Sequence, residues 1–110
     1  MIDQKANKKA DEKTDEEWVV EITNHPESAH WSVGKNIGTA LSKLPDSRGF
    51  KILDKCWNDI AISVRKQILK GFAFEIIPND DFFKVMNLGM LSEDTGSRDF
   101  AKARLLLHRR

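Results

Sequence analysis

DSRGFKILDKCWNDIAISVRKQILKG, residues 46–71, is the stretch that decides the fold. Apolar residues recur in it at steps of three and four, the spacing that places side chains on one face of an α-helix. This face consists of Phe50, Leu53, Trp57, Ile60, Val64 and Ile68. Asp46 or Ser47 can cap the N-terminus, and Gly71 stands where a left-handed C-cap favours a residue without Cβ. The pattern therefore predicts one long helix on which the rest of the chain packs.

Two short strands are predicted, one before and one after this helix in the sequence. Residues 18–22 and 72–77 are rich in β-branched and aromatic side chains, and each stretch is followed by a proline-containing turn. Two strands alone are marginally stable, so a helix must cover them or a second protomer must extend the sheet.

Three shorter helices are also predicted. The first lies within residues 26–44 and ends before Pro45, because the residue that precedes a proline is pushed out of the helical region. Gly34 and Gly38 leave one side of it flat, which favours close packing on the long helix. The candidate caps are Asn24 or Ser32 for the first helix, Asn79 or Asp80 for a second through about residue 91, and Ser97 for the last.

Composition indicates a single α+β domain, predominantly helical, with about four helices around one long central helix. The chain has 110 residues, of which 40% are hydrophobic, and this suits one globular domain over residues 18–110. Residues 1–17 lack apolar periodicity and are predicted to form a flexible charged tail. Neither a signal peptide nor a membrane span is recognisable, so we expect a cytoplasmic protein that does not enter a membrane.

Cofactor and metal sites have little support in the sequence. The VGKN stretch at residues 33–36 lacks both the earlier glycine and the following hydroxyl residue of a phosphate-binding loop. His25 and His30 are five residues apart near a turn, and Cys56 lies elsewhere on a predicted helix. Zinc sites usually draw on closely spaced cysteine or histidine pairs. We therefore expect no metal and no cofactor.

Catalysis is not predicted either. Cys56 is the single cysteine, and its place at the edge of an apolar helix face predicts a buried, unreactive thiol. A small enzyme would need a cleft that brings His30 or His108 together with an acid. No such constellation is visible in the sequence, so we expect a protein that is not an enzyme.

Protein–protein interaction is the function that the apolar pattern favours. The predicted long helix is apolar on more than one side, and surplus apolar surface usually marks a partner site. We therefore expect an interaction module, such as a regulator, adaptor or inhibitor, that binds a protein partner or self-associates as a homodimer. The candidate contact residues are Trp57, Ile62, Leu69, Leu105 and Leu106.

Nucleic-acid binding is the alternative function, because basic residues are concentrated in two places. Residues 98–110 contain five basic residues against the single acid Asp99, and a second cluster precedes Gly71. Cations of this kind contact phosphates and give salt-sensitive affinity. The candidate residues are Arg65, Lys66, Lys70, Arg104, Arg109 and Arg110.

Overall fold

Six α-helices and no strand make up the part of the chain that the computed structural model describes, residues 13–75 and 79–108. The helices are α1 (Asp15–Thr23), α2 (Trp31–Ser42), α3 (Arg48–Cys56), α4 (Ile62–Glu75), α5 (Asp80–Met90) and α6 (Thr95–Leu107). The predicted α+β class is therefore wrong, and the described fold is all-α. Within these residues no helix is both long and apolar enough to cross a membrane.

The predicted long helix is also wrong, because the chain breaks between α3 and α4. A 3-10 turn covers Trp57–Asp59, and Ile60 is extended with a ψ of 137°. Asparagine and aspartate side chains compete for backbone hydrogen bonds, so the Asn58-Asp59 pair disfavours a continuous helix. The apolar spacing continues through the break because Leu53 before it, Ile60 within it and Val64 after it are all buried.

Two charged side chains satisfy the backbone groups that this break leaves free. The Arg65 guanidinium donates to the carbonyl oxygen of Ile60 at 2.9 Å and to that of Asn58 at 3.1 Å. At the start of α4 the Glu27 carboxylate accepts the backbone N–H of Ser63 at 3.0 Å. This backbone hydrogen bond is the main reason that the pKa of Glu27 lies below its usual value of 4.5. The break is thus a capped junction between two helices.

The strand predicted at residues 18–22 is instead the body of α1. Thr14 and Glu17 form a capping box: the Thr14 hydroxyl accepts the Glu17 backbone N–H at 3.1 Å, and the Glu17 carboxylate accepts the Thr14 N–H at 2.8 Å. Trp18 and Ile22, one turn apart, are buried together. The cap therefore decides the structure of a stretch whose β-branched composition suggested a strand.

The start of α1 lies within the segment that we predicted to be a flexible tail. Arg48 from α3 donates to the Lys13 carbonyl oxygen at 2.7 Å and to the Asp15 carboxylate at 3.0 Å. These bonds hold the first described residues against the helical domain. Residues 1–12 of the predicted tail are outside the described residues.

The strand predicted at residues 72–77 is replaced by the last turn of α4 as far as Glu75. Gly71, predicted to end the helix, lies inside it, and no described glycine has a positive φ. Because Gly71 has no Cβ atom, α2 can pack closely against α4 at this position. Residues 76–78 of the predicted strand and turn lie outside the described residues.

The three shorter helices are confirmed, although their caps differ in part from the predicted ones. His30, rather than Asn24 or Ser32, caps α2, and the helix starts at Trp31, two residues before the start that a Ser32 cap would give. Asn79 caps α5 as predicted, with its side chain accepting the Phe82 backbone N–H at 2.9 Å. Asp94 rather than Ser97 caps α6, and it accepts the Ser97 backbone N–H at 2.9 Å.

Close packing of α2 on α4 depends on three glycines. A Cβ atom on Gly71 would lie 1.9 Å from the carbonyl oxygen of Lys35, and one on Gly38 would lie 2.1 Å from that of Ile68. Gly34 is similarly close to α4, where a Cβ would meet that of Gln67 at 2.6 Å. The predicted close packing of Gly34 and Gly38 is therefore confirmed, and Gly71 contributes from the opposite helix.

Gly71→Ala should lower the free energy of unfolding by about 2 kcal/mol or more, because the added methyl group would overlap a backbone oxygen that cannot rotate away. Urea unfolding followed by circular dichroism measures the change. Gly96→Ala is the matched control: its Cβ would lie 3.6 Å from the nearest atom, in the first turn of α6, so it should stabilise the protein by up to about 1 kcal/mol. Equal stability of the two variants would contradict the close contact.

Candidate functional site

A groove of about 270 Å³ lies where α2, α4 and α6 meet, and we call it the basic aromatic groove. Its aromatic residues are Trp31, Phe74 and Phe100, and its cations are Lys35, Lys70 and Arg104. Gln67 supplies an amide between them. None of the described residues that line it carries a carboxylate, so its three cations have no acidic partner among these lining residues.

Helical spacing explains why each helix contributes both an aromatic residue and a cation. Residues four apart lie on the same face of a helix, about one turn from each other. Each helix presents one such pair to the groove: Trp31 and Lys35 on α2, Lys70 and Phe74 on α4, and Phe100 and Arg104 on α6. The helices run in the same direction. In α2 and α4, Gly34 lies against Gln67, and the later residue Gly38 lies against the later residue Phe72. In α4 and α6, Lys66 lies beside Gly96, and both residues are near the start of their helices. The three pairs therefore meet on one side of the molecule.

Two of the aromatic rings in this groove are unusually exposed. Trp31 is 56% exposed and Phe74 is 65% exposed, whereas Trp18 and Trp57 are 2% and 3% exposed. A folded chain normally buries such rings, which are its largest apolar side chains. Their exposure is therefore a feature of the groove rather than of the aromatic residues in general.

Cations lie over the rings of the groove. The Lys35 Nζ atom is 4.6 Å from the centroid of the Phe74 ring and 5.7 Å from the centroid of a Trp31 ring. The Arg104 guanidinium is 5.4 Å from the centroid of Phe100. Lys35 thus contacts both exposed rings and links α2 to α4 through its cation–π attraction to Phe74, worth about 0.5–1 kcal/mol at exposed sites.

A smaller depression of about 110 Å³ adjoins the groove and shares Trp31 and Gln67 with it. It extends between α2 and α4 toward Ser63, the residue whose backbone N–H is bound by Glu27. His30 also lines it, and its Nδ1 atom accepts the Ser32 backbone N–H at 3.2 Å.

The residues predicted to bind a protein partner are not gathered on one surface. Trp57 is 3% exposed and Leu69 is fully buried, because both pack in the core. Ile62 is 48% exposed at the start of α4, and Leu106 is 55% exposed near the end of α6. Leu105 is half-buried and packs against the core. Only Ile62 and Leu106 of this set are well exposed, and they lie at opposite ends of their helices.

The residues predicted to bind nucleic acid divide into three groups. Lys70 and Arg104 line the basic aromatic groove, and the half-buried Lys66 lies beside Gly96 one turn earlier on α4. Arg65 is 2% exposed, so its guanidinium cannot reach a ligand at the surface. Arg109 and Arg110 lie outside the described residues.

Arg65 instead connects the break in the chain to the loop between α5 and α6. It approaches the Ser92 hydroxyl and the Asp94 carboxylate at 3.3 Å each, and Trp57 donates its indole N–H to the same hydroxyl at 3.0 Å. Burial raises the pKa of Asp94, but hydrogen bonds from Ser92, Ser97 and Arg65 outweigh it and hold this pKa below its usual value of 3.8. Arg65 therefore has a structural role.

Cys56 is buried, as the sequence predicted, and its thiol donates to the Ile52 carbonyl oxygen at 3.3 Å. Burial, with a smaller contribution from Asp59, raises the pKa of this thiol to about 11. At neutral pH it therefore stays protonated and is a poor nucleophile. Among residues 13–75 and 79–108, no three histidine, cysteine, aspartate or glutamate side chains are grouped so as to hold a metal ion.

Comparison with protein-family models, with curated proteins and with solved structures finds no match to this chain. Function is therefore inferred from the residues of the groove themselves. The sequence prediction missed the groove, although the repeated pairing of an aromatic residue with a cation four residues away is a readable signal in α2, α4 and α6.

Asp94→Asn should lower the free energy of unfolding by about 2–3 kcal/mol at pH 7, because Arg65 would lose a buried anionic partner. The folded-state pKa of Asp94 is depressed, so its stabilising contribution is present above the ordinary value of 3.8 and is lost as the pH falls through the lower folded value. Urea unfolding from pH 7 to pH 2 should therefore show the two proteins converging in acid. The exposed Asp99→Asn is the control, and a constant difference at all pH values would contradict this assignment.

Iodide should quench tryptophan fluorescence more strongly than caesium, by about twofold or more, because cations surround the one exposed tryptophan among the three. Stern–Volmer titrations at constant ionic strength measure both quenchers. Trp31→Phe should abolish most iodide quenching, since Trp18 and Trp57 are buried. Iodide quenching that persists in Trp31→Phe would show that the exposed ring is not Trp31.

Proposed function

We propose that the protein is a non-enzymatic interaction module whose basic aromatic groove holds an extended anionic segment of a partner macromolecule. The observation that carries this proposal is the meeting of three cations and three aromatic rings in a groove lined by no described carboxylate. The proposal keeps the predicted class of an interaction module but moves its contact surface. The apolar surface first considered includes Trp57 and Leu69, which are buried.

Local charge supports an anionic ligand. The whole chain has a net charge of only +1, so long-range attraction is weak and a ligand must be recognised by charges that lie close together. Lys35, Lys70 and Arg104 supply such a cluster from three different helices. Close packing of α2 on α4 also sets the backbone positions of Lys35 and Lys70 before binding, which reduces the entropy lost when a ligand is bound.

We favour binding over catalysis because the side chains that could act as nucleophile or base make structural contacts instead. The Cys56 thiol is buried, and burial raises its pKa to about 11. The His30 ring accepts a backbone N–H as the cap of α2, and the His108 ring packs edge-on against Phe82 with 5.3 Å between centroids. These groups support the helices, whereas the side chains of the groove are suited to contact a ligand.

Titration of the full chain with two linear polyanions tests the proposal. Poly-L-glutamate and oligothymidine are added at low salt, and the indole N–H resonance of Trp31 is followed by NMR. We expect at least one polyanion to shift this resonance. Lys35→Glu combined with Arg104→Glu should weaken that binding by about tenfold or more, because each reversal replaces an attraction with a repulsion.

Lys43→Glu combined with Lys51→Glu is the matched control, since both lysines are exposed outside the groove and the net charge changes equally. This variant should bind within about twofold of the unchanged protein. The proposal is overturned if neither polyanion binds, or if the two double variants lose affinity equally.

A further inference from the structure

We infer that the anionic segment is a single-stranded nucleic acid, whose bases stack on Trp31 and Phe74 while its phosphates contact Lys35, Lys70 and Arg104. This inference rests on the proposed function of the groove and names its ligand. Unpaired bases need flat aromatic surfaces and their backbone needs cations, and sites that bind single strands combine the two.

The exposed rings favour stacking over insertion of an apolar anchor. A peptide anchor gains affinity by entering a pocket that removes it from water. Trp31 and Phe74 are instead more than half exposed, and the Lys35 ammonium lies over both rings. They therefore offer exposed ring surface, on which a base can stack irrespective of its sequence once the Lys35 ammonium moves from the rings to a phosphate.

The cations lie where a backbone that joins two stacked bases would pass. The Lys35 ammonium is within 5.7 Å of the centroids of both rings, and Lys70 lies one turn before Phe74 on α4. Arg104 lies over Phe100 at the α6 side of the groove. Gln67 adds an amide with both a donor and an acceptor, which suits the edge of an unpaired base.

A single strand suits this geometry better than a duplex. In a duplex the bases are stacked on each other, so their faces cannot reach Trp31 and Phe74. A helix that reads duplex DNA must also project into the major groove. Here α4 lies between α2 and α6 and is packed on both, so it is not free to project.

The decisive comparison uses the full chain with ligands supplied at equal phosphate concentration, so that the duplex, with its two backbones, is not favoured by charge alone. Oligothymidine of about twelve nucleotides is compared with an abasic phosphodiester of the same length, with oligouridine of the same length and with the corresponding duplex. We expect the single strands to bind about tenfold or more tightly than the abasic chain, since two bases stack on aromatic rings. Three phosphate contacts predict a slope of about −2 for the logarithm of affinity against that of salt concentration.

Trp31→Leu combined with Phe74→Leu should remove the preference for bases and leave the weaker electrostatic binding unchanged. Both side chains are exposed, so the variant should fold, and its thermal unfolding is measured to check that it does. Val20→Ala combined with Leu107→Ala is the control, because it alters two exposed apolar residues outside the groove and should retain the preference.

The outcomes separate this inference from the proposed function. Equal affinity for the abasic chain, or tighter binding of the duplex, overturns the single-strand inference while the anionic groove stands. Tighter binding of poly-L-glutamate than of any oligonucleotide also overturns it and assigns the groove to an acidic protein segment. Binding of none of these ligands overturns both. Preference for oligouridine or for oligothymidine identifies RNA or DNA as the source.

Discussion

Direct contact between the backbones of α2 and α4 is the constraint on which the rest of this structure depends. Gly38 and Gly71 bring each helix against a carbonyl oxygen of the other, a distance that no side chain with a Cβ atom would permit. The Thr39 hydroxyl adds a hydrogen bond to the Gly71 carbonyl oxygen at 3.3 Å. Because the helices are so close, Lys35 on one reaches the Phe74 ring on the other. The groove is therefore a consequence of glycine packing in the fold.

The break before α4 is the second constraint, since it sets where α4 begins. A helix end leaves backbone groups without partners, and leaving them buried is costly. Arg65 reaches back to the carbonyl oxygens of the break and forward to Asp94, the cap of α6. One buried cation therefore joins the start of α4 to the start of α6. This link aligns two of the three helices that form the groove, and it explains why Arg65 itself is not exposed.

Local sequence signals predicted part of the fold well. Turn residues and periodicity located α2, α5 and α6, and the spacing of Gly34 and Gly38 predicted a close helix contact. The signals failed at α1, whose local capping box was overlooked, and wherever the partner of a residue is distant in sequence. Glu27 caps a helix that begins 35 residues later at Ile62, and no local pattern shows this. Gly71 was misassigned for the same reason. A glycine that ends a helix and a glycine that allows another helix to pack closely cannot be distinguished by residue type alone.

The groove was missed because its residues are spread over three helices, and their convergence depends on how those helices are aligned. Each aromatic–cation pair alone is an ordinary helix-stabilising contact. Together they determine which ligand the proposed site would bind favourably. In the free protein Lys35 is attracted to the exposed rings, so a simple anion that draws it away gives up that attraction. A ligand with both anionic groups and flat rings replaces each lost contact with a new one, and this exchange is the physical reason to favour an unpaired nucleic acid.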